Sequence, residues 1–419
     1  MKAGSGFFIA FRYLLGRARE GGRYLRGAAA GIAVSLVPII VTLIVADGMI
    51  RGITDRYLEL GTSHIQVYNF SGAGELDGAA SVIADLPGVR GVWMERQGLG
   101  MLVGRKKSGA AIRAVEKSYW EDPGSLRFLT TIEGQALLES DREVLLGGEI
   151  AEAAGAEVGK TVRIMTLRAS GGRSIPRFTP FTVKGIVSSG YRELDSLWCI
   201  TTDTAGAGIF SPEYSSARLL VKIDDPYRGA DRMVFDIYAA LGPGFSVYTW
   251  KDMQRSQYSS YEQTRQLLLF IMALIVMVAA VNVSSATSML VIERRRDIAV
   301  LKAAGAGGRG IQGIFLWGSF LTGLAGSVLG IGVGLLIGYF INPVIRGLEK
   351  ILSFFSGLFH GESVKILDPG YYLETIPVII DWQMVFLIGL FTILCSMAAS
   401  WLPARRAGKL KPLDLLRKY

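Results

Sequence analysis

Four long stretches without a charged residue constrain this chain more than any other feature of its sequence. They cover residues 27–46, 266–292, 310–345 and 382–404. Each can cross about 30 Å of hydrocarbon as a helix, which takes roughly 20 residues. Half of the chain is hydrophobic and only 19% is charged, below the roughly one quarter usual in soluble proteins. The sequence therefore predicts transmembrane helices at 27–48, 266–292, 310–345 and 382–404, and it excludes an ordinary soluble enzyme.

The four uncharged stretches contain no histidine either. An intramembrane proton relay needs ionisable side chains, so we do not expect a proton-driven antiporter. The first stretch follows a basic segment, as the apolar region of a signal peptide does. Because 26 residues precede it and Ala46-Asp47-Gly48 is a poor small-x-small cleavage site, we interpret it as an uncleaved anchor.

Basic residues are concentrated in three segments that flank the spans. Segment 1–26 has 6 basic residues against 1 acidic, segment 293–310 has 5 against 2, and segment 405–419 has 6 against 1. Four spans place all three segments on one side of the membrane, and the positive-inside rule makes that side the cytoplasm. The net charge of +9 is therefore a topology signal, and we expect no nucleic-acid partner.

The same topology places two segments outside the cytoplasm, a domain over residues 49–265 and a loop over 346–381. In the domain, β-rich runs such as 161–167 and 217–223 alternate with helical patches such as 76–85, a pattern typical of a mixed α/β sheet. The predicted fold class is an α-helical membrane protein with four transmembrane helices and a large extracytoplasmic mixed α/β domain between helices 1 and 2. The remaining pieces would be a cytoplasmic or interfacial helix over 1–26, a cytoplasmic loop over 293–309 and a tail over 405–419.

Two glycine-rich stretches have the outline of nucleotide-binding motifs. Residues 154–161, AGAEVGKT, lack the leading glycine of a phosphate loop and precede a strand instead of following one; no strand precedes residues 305–310, GAGGRG. We interpret both as turns. Cys199 and Cys395 lie far apart, and the chain has only two histidines, so no metal-ligand spacing is present. The sequence predicts no catalytic residue, no metal and no cofactor bound by this chain.

Residues 168–180, RASGGRSIPRFTP, separate two predicted strands. The segment looks too long and too rich in Gly, Ser and Pro for a tight hairpin. One interpretation is a flexible surface loop. The other is an exposed arm that grips a partner, with Pro176 and Pro180 holding it extended and Ile175 and Phe178 supplying apolar contacts.

Residues 293–305, ERRRDIAVLKAAG, follow the second span and have helical spacing. They could be a solvated loop whose arginines only set topology. Alternatively, they form a short helix that docks into a groove on a partner, with Ile298, Val300 and Leu301 as apolar anchors.

Several stretches resemble one family. They are FIAFRYLLGRAR at 8–19, VNVSSATSMLVIERRRDIAVLKAAGA at 281–306, YYLETIPVIIDW at 371–382 and WLPARRAGKLKPLDLLRK at 401–418. In these the chain resembles the lipoprotein-releasing permeases of the LolC/LolE type, within the wider family of mechanotransmitting ABC permeases that includes MacB-like exporters and FtsX.

The resemblance implies that residues 293–305 are a coupling helix that contacts a dimer of separate ABC ATPase subunits. ATP and Mg would be bound by those subunits and not by this chain. A second permease copy, or a diverged sibling, would complete the complex. The coupling residues implied are Glu293, Arg294, Arg296, Asp297, Ile298, Leu301, Lys302 and Gly305.

The resemblance also implies a place for the cargo and for its carrier. A carrier-binding loop would lie at 168–180, with Ser174, Ile175, Pro176, Arg177 and Phe178 making the contact and residues 175–177 at the tip. A lipoprotein cleft, within reach of membrane lipids, would involve Val45, Met49, Leu268 and Ile271. The expected location is the inner membrane of a diderm bacterium, with the large domain in the periplasm.

The function implied is ATP-driven extraction of outer-membrane-directed lipoproteins and their transfer to a periplasmic carrier. Two alternatives stay open within the wider family. One is a MacB-like efflux permease for small amphiphiles, and the other is an FtsX-like regulator of cell-wall hydrolases.

Overall fold

The computed structural model describes residues 21–69, 74–170, 173–359, 373 and 375–410. The chain divides into two compact units. A membrane unit contains Met1–Gly48, Tyr261–Glu362 and Ile376–Tyr419, and an outer unit contains Met49–Ser260 and Ser363–Thr375. The predicted interfacial helix over 1–26 falls mostly outside the described residues, and so does the tail beyond residue 410.

The α-helices are, in chain order, α1 (Gly21–Arg56), α2 (Gly74–Ala84), α3 (Lys117–Glu121), α4 (Pro123–Phe128), α5 (Gly148–Ala154), α6 (Arg192–Asp195), α7 (Asp203–Ile209), α8 (Ala230–Leu241), α9 (Trp250–Met253), α10 (Arg255–Glu293), α11 (Arg295–Ala303), α12 (Gly308–Tyr339), α13 (Ile341–Phe359) and α14 (Trp382–Lys409). Among the described residues, four helices are long and apolar enough to cross a membrane. They are α1, α10, α12 and α14, the first to fourth spans, and they confirm the four-helix prediction.

The third span is shorter than predicted. The expected stretch 310–345 is divided, because α12 ends at Tyr339, Phe340 has non-helical backbone angles, and α13 begins at Ile341. Pro343 lies in the first turn of α13, where its missing N–H costs nothing. The expected loop 346–381 therefore includes most of an amphipathic helix, whose first five residues belong to the uncharged stretch 310–345.

A stripe of glycines on α12 packs directly against α1. A Cβ atom added to Gly330 would lie 2.8 Å from the Ala33 carbonyl oxygen, and one added to Gly334 would lie 2.8 Å from Cβ of Ile40. Gly326 and Gly338 approach α1 as closely. The spacing of four that the sequence shows is thus a helix-packing surface. It fixes the first and third spans as close neighbours.

Apolar side chains of α1 form the centre of the membrane unit. Ile32, Leu36 and Ile40 are buried in one cluster with Val276 and Val283 of α10. Val385 and Ile388 of α14 join the same cluster. The first span therefore packs with the second and fourth spans as well as with the third.

The outer unit is built on one ten-stranded mixed sheet. Its strands are β1 (Ile65–Asn69), β2 (Val89–Val103), β3 (Lys107–Val115), β4 (Thr130–Gly134), β5 (Glu143–Gly147), β6 (Thr161–Ser170), β7 (Arg173–Ser188), β8 (Trp198–Thr202), β9 (Ser215–Ile223) and β10 (Phe245–Thr249). The order is β10-β1-β9-β2-β3-β8-β5-β7-β4, with β6 paired to β2 and β7. Two pairs, β3 with β8 and β5 with β7, are parallel and the others are antiparallel, which confirms the mixed α/β prediction.

Alternating apolar residues of these strands produce three buried clusters. One cluster joins β3, β5, β6 and β7 to α5 and includes Ile112, Leu146 and Phe181. An aromatic cluster contains Trp93, Tyr119, Trp120 and Trp198. A third joins β1 and β9 to α2, α8 and α9. The stretch AGAEVGKT lies between α5 and β6, so it is the turn that the sequence predicted.

Candidate functional site

The helix α11 is held by its own membrane unit. A break at Arg294, with φ −90° and ψ 19°, separates it from the second span. Ile298 is 2% exposed and packs in a cluster with Leu25, Ile311 and Phe315. The expectation that Ile298 anchors a partner is therefore corrected, because its side chain is enclosed by the helices of this chain.

Lys302 joins α11 to the end of the fourth span. Its ammonium donates a hydrogen bond to the Gly408 carbonyl oxygen at 2.8 Å and another to the Leu410 carbonyl oxygen. The last carbonyl groups of a helix lack intrahelical partners, and a cation there is favourable. Gly308 and Gly408 also touch, since a Cβ atom on either would lie within 2.7 Å of the other's carbonyl oxygen. Lys302 thus attaches α11 to the end of the fourth span, and its expected part in coupling stays a prediction.

The opposite face of α11 is exposed. Val300 is 68% exposed, and Arg296 and Ala303 are exposed on either side of it along the helix. Among the three apolar anchors considered from sequence, Val300 alone has this exposure, since Leu301 is half-buried. An exposed hydrophobic side chain on a short helix can enter a groove of a partner.

The other expected coupling residues lie around this face. Glu293 is exposed at the end of α10, and Arg294 pairs with Asp297 at 3.2 Å. Gly305 ends α11 with φ +90°. The N–H of Gly305 donates to Lys302 O, and that of Ala306 donates to Leu301 O, the two bonds of a Schellman cap. Gly305 is therefore a helix terminator. The turn predicted over 305–310 is shorter than expected, because residues 308–310 already belong to α12.

The segment 168–180 belongs to a long hairpin of β6 and β7. The two strands pair from Thr161 opposite Thr182 to Ser170 opposite Arg173, which leaves only Gly171 and Gly172 between them. The expectation that this segment is too long for a tight hairpin was wrong. The prolines did not prevent pairing, since alternate residues of an antiparallel edge strand direct their N–H away from the partner strand.

The carrier-binding residues lie on the outer half of this hairpin. Residues 173–178 are all exposed, and Ile175 and Phe178 are each 50% exposed. The last pair before the turn is Ser170 with Arg173, so residues 175–177 lie two to four pairs back along the strand. The expected placement of 175–177 at the tip is corrected accordingly. Ser174 to Phe178 form one continuous exposed edge.

Contacts with the α7 region brace the hairpin. The Arg177 guanidinium donates to the Gly208 carbonyl oxygen at 2.6 Å, and the Thr166 hydroxyl donates to Ile209 O at 3.0 Å. The hydroxyl groups of Ser174 and Tyr214 are hydrogen-bonded to each other. Paired strands with these side contacts form an ordered arm, which differs from the flexible loop considered from sequence.

The four residues expected to form a lipid cleft do not share one surface. Val45 is half-buried in α1, Leu268 packs against the buried cluster of the spans, and Ile271 is 43% exposed. Met49 packs in the aromatic cluster of the outer unit, so its assignment to the cleft is corrected. An apolar groove of about 200 Å³ instead lies between the second and fourth spans, lined by Leu269, Met272, Ala273, Val276, Met384, Leu387, Ile388 and Phe391.

One face of α10 remains largely uncovered by the other spans. Its apolar residues Phe270, Val278 and Val281 are 65%, 66% and 61% exposed. Ile271 and Leu274 continue the same face. A face of this length and composition is suited to lipid or to another membrane helix.

Arg265 ties together the outer ends of three spans. Its guanidinium lies 3.4 Å from the Asp47 carboxylate of α1 and 3.3 Å from the Asp381 carboxylate. Asp381 also caps α14 by accepting from the Gln383 and Met384 N–H groups. The sequence showed these residues only as charges that end the spans. The opposite charges of Arg265 and the two aspartates at neighbouring span ends are the sequence feature that could have indicated this contact.

The buried charges of the outer unit form structural pairs. Glu95 is fully buried, with Oε1 2.6 Å from Arg113 Nε and Oε2 2.6 Å from Arg218 Nε. Burial by itself would raise the pKa of Glu95, but the two guanidinium groups outweigh it and hold that pKa below its ordinary value. Lys222 is likewise buried against Asp122 at 2.8 Å.

The Cys199 thiol is fully buried in the outer unit. Burial raises the pKa of Cys199 to about 12, which leaves the thiol protonated and a poor nucleophile. Within the described ranges, no group of three His, Cys, Asp or Glu side chains is placed to hold a metal ion.

Comparisons with known proteins cover both units. The MacB-like periplasmic core domain model matches residues 27–247, and the FtsX-like permease C-terminal model matches residues 269–412. The chain is 28% identical to the lipoprotein-releasing system transmembrane protein LolC of Neisseria meningitidis, over 67% of this chain and 66% of that protein. It is 26% identical to LolC of Xylella fastidiosa, over 98% of each, and 23% identical to LolE of Haemophilus influenzae, over 99% of each.

The fold defines a four-span membrane protein with a periplasmic-type α/β domain between its first two spans. The first family match covers more than half of the chain, and the second covers most of the rest. The chain belongs to the MacB/FtsX-like family of ABC permeases. This membership implies an ATPase partner and an associated permease, and the membrane subunit in such systems is normally non-catalytic.

Proposed function

We propose that this chain is the permease subunit of an ATP-driven complex that extracts lipid-modified proteins from the inner membrane of a diderm bacterium and passes them to a periplasmic carrier. The observation that carries the proposal is similarity along the entire chain to permeases named as lipoprotein-releasing. ATP and Mg would be bound by the separate ATPase subunits. The membrane subunit would supply the coupling surface, the lipid-facing spans and the arm.

The exposed face of α11 supports the coupling step. Val300 would enter a groove of the ATPase, while Arg296 meets acidic groups at its rim. Because Ile298 and Lys302 fix α11 to the membrane unit, movement of the ATPase would be delivered to the spans and not lost in a loose loop. Glu293, Arg294, Asp297 and Leu301 would shape this contact from the side.

The energetics of lipid extraction support a membrane subunit driven by ATP. Each acyl methylene removed from the bilayer costs about 0.8 kcal/mol, so several chains cost tens of kcal/mol. An apolar surface that replaces the lipid lowers this cost. The uncovered face of α10, which includes Ile271, and the groove between the second and fourth spans provide such a surface.

The braced hairpin supports transfer to a carrier. Ile175, Pro176 and Phe178 present apolar groups on an edge strand whose outer side is free to contact another protein. An arm that is already ordered loses little conformational entropy on binding. Ser174 and Arg177 hold the arm to the α7 region while that contact forms.

Depletion of the protein in its native host tests the proposal. Outer-membrane lipoproteins should accumulate in the inner membrane. Normal sorting together with altered resistance to toxic amphiphiles would replace the proposal with efflux. Capture of cell-wall amidase regulators in place of a lipoprotein carrier would replace it with hydrolase regulation.

Two charge-introducing variants locate the sites. Val300→Asp should abolish assembly with the ATPase, whereas Val82→Asp, at a valine that is 43% exposed on α2, should not. Ile175→Asp should abolish carrier binding, whereas Ile132→Asp, at an isoleucine that is 60% exposed on β4, should leave it intact. Equal effects of a variant and its control would contradict the assigned surface.

A further inference from the structure

The helix α13 has two chemically distinct faces. At about 100° per residue, its apolar positions fall on one half of the circumference and its polar positions on the other. The apolar half carries Ile341, Val344, Ile345, Leu348, Ile351, Leu352 and Phe354, and the polar half carries Asn342, Arg346, Glu349, Lys350 and Ser353.

The apolar half is exposed along most of the described length of the helix. Ile341 is buried at its start, but Val344, Leu348 and Ile351 are 45%, 49% and 55% exposed. Phe354 is 71% exposed. Side chains of this size in an unbroken stripe point to an apolar surrounding beyond this chain.

The position of α13 along the chain identifies that surrounding. Only Phe340 separates it from the third span, so its apolar stripe continues the exposed apolar surface of that span, where Leu336 and Tyr339 are 62% and 65% exposed. Aromatic residues at such a junction and basic residues on the polar half are typical of a helix at the membrane interface.

Two hydrogen bonds fix the start of α13 to the segment before the fourth span. The Asn342 side-chain amide donates to Ile376 O at 2.9 Å, and Ile376 N–H donates to the Asn342 side-chain oxygen at 3.0 Å. The next residue, Pro377, approaches so closely that a Cβ atom on Gly48 would lie 2.2 Å from its carbonyl oxygen. The start of α13 is therefore attached to the segment before the fourth span, and that segment contacts the first span.

We propose that α13 lies in the outer leaflet of the membrane, with the stripe of Val344, Leu348, Ile351 and Leu352 among the acyl chains and Arg346 and Lys350 among the head groups. Its partner is the lipid surface itself. The helix holds the outer ends of the third and fourth spans at a fixed depth.

Site-specific fluorescence in lipid nanodiscs tests this placement on the full-length protein. Single cysteines replace Leu348 and Lys350 in turn, in a Cys199→Ser and Cys395→Ser background, and carry a bimane label. Lipids with a nitroxide near the head of the acyl chain should quench the label at 348 several-fold more than the label at 350. Aqueous iodide should show the reverse order. A label at Gly332, inside the third span, calibrates quenching by a nitroxide deep in the bilayer.

Two results would overturn the proposal. Equal quenching of both labels by iodide would place the helix in water. A label at 348 that neither nitroxide nor iodide reaches would place the stripe against protein. If Leu348→Cys does not fold, Leu352→Cys reports on the same face, and the same outcomes apply.

Discussion

Replacement of Gly330 by alanine tests the contact between the first and third spans. The new methyl group would lie 2.8 Å from the Ala33 carbonyl oxygen and 2.8 Å from Cβ of Leu36. Neither atom is the end of a flexible side chain, so the helices have to move apart. Overpacking of this kind costs about 1–3 kcal/mol.

Gly332→Ala on the same helix is the matched control, because nothing lies within 4 Å of its added Cβ. Both substitutions remove a glycine from a helix interior, which favours folding by roughly 0.5–1 kcal/mol. The difference between the two variants therefore isolates the packing cost. For a unit of this size it corresponds to a Tm that is lower in Gly330→Ala by about 2–12 °C.

Thermal unfolding in detergent provides the assay. A maleimide dye that fluoresces on reaction with thiols reports exposure of Cys395, which packs with the buried cluster of the spans. Gly330→Ala with a Tm equal to or above that of Gly332→Ala would refute the close contact. A second comparison adds specificity: Gly338→Ala meets Cδ1 of Ile44 at 2.4 Å, so Ile44→Val, which removes that atom, should restore part of its lost stability.

Three further predictions concern charged groups. Lys302→Met leaves the Gly408 and Leu410 carbonyl groups without their donor. It should lower Tm by an amount equivalent to about 1–3 kcal/mol and weaken the coupling of ATP hydrolysis to release. Lys302→Arg should retain more stability and more coupling, and an equal loss in the two variants would argue against the hydrogen bonds. Arg265→Gln leaves the Asp47 and Asp381 carboxylates facing each other at the span ends and should lower Tm. Adding Asp381→Asn in the same chain should recover Tm. An additive loss of Tm in the double variant would contradict the shared ion pair. Because the pKa of Glu95 is lowered in the folded state, its contribution to stability is present above the ordinary carboxyl pKa and is lost as the pH falls through that range towards the folded pKa. Tryptophan fluorescence should therefore report easier unfolding of the outer unit in acid, and a stability independent of pH across that range would contradict the paired state.

The membrane topology was predictable because it depends on one-dimensional properties. Uncharged length and flanking basic residues define the spans without any knowledge of packing. The division at Phe340 was not predictable in the same way. The apolar residues at the start of α13 extend the uncharged stretch of the third span to Ile345. Only the helical periodicity of the residues that follow distinguishes α13 from the span.

The sequence indicated two segments, 293–305 and 168–180, but not the orientation of their side chains. Each carries exposed apolar residues, such as Val300 and Ile175, and their contact with partners stays a prediction. Which of Ile298, Val300 and Leu301 faces outward depends on how α11 packs on neighbouring helices, and local spacing does not contain that information. The same limit applies to Met49, which packs against a cluster whose members include Trp93 and Trp198, far from it in the sequence.

The Arg–Glu–Arg cluster around Glu95 was also beyond sequence reasoning. Its members lie on three different strands, β2, β3 and β9, and only the register of the sheet brings them together. By contrast, the glycines of α12 recur at every fourth residue, a spacing typical of a helix-packing surface, and the structure identifies α1 as the helix opposite.

The uncovered face of α10 has a consequence for how this permease acquires a partner within the bilayer. Phe270, Val278 and Val281 lie away from the cluster that holds the four spans together, so substitutions there leave the internal packing of the subunit unchanged. A second permease that packed on this face would meet residues that can change without any change to the core of this subunit. Substitutions on this side of one helix would then alter the choice of partner and leave folding unaffected.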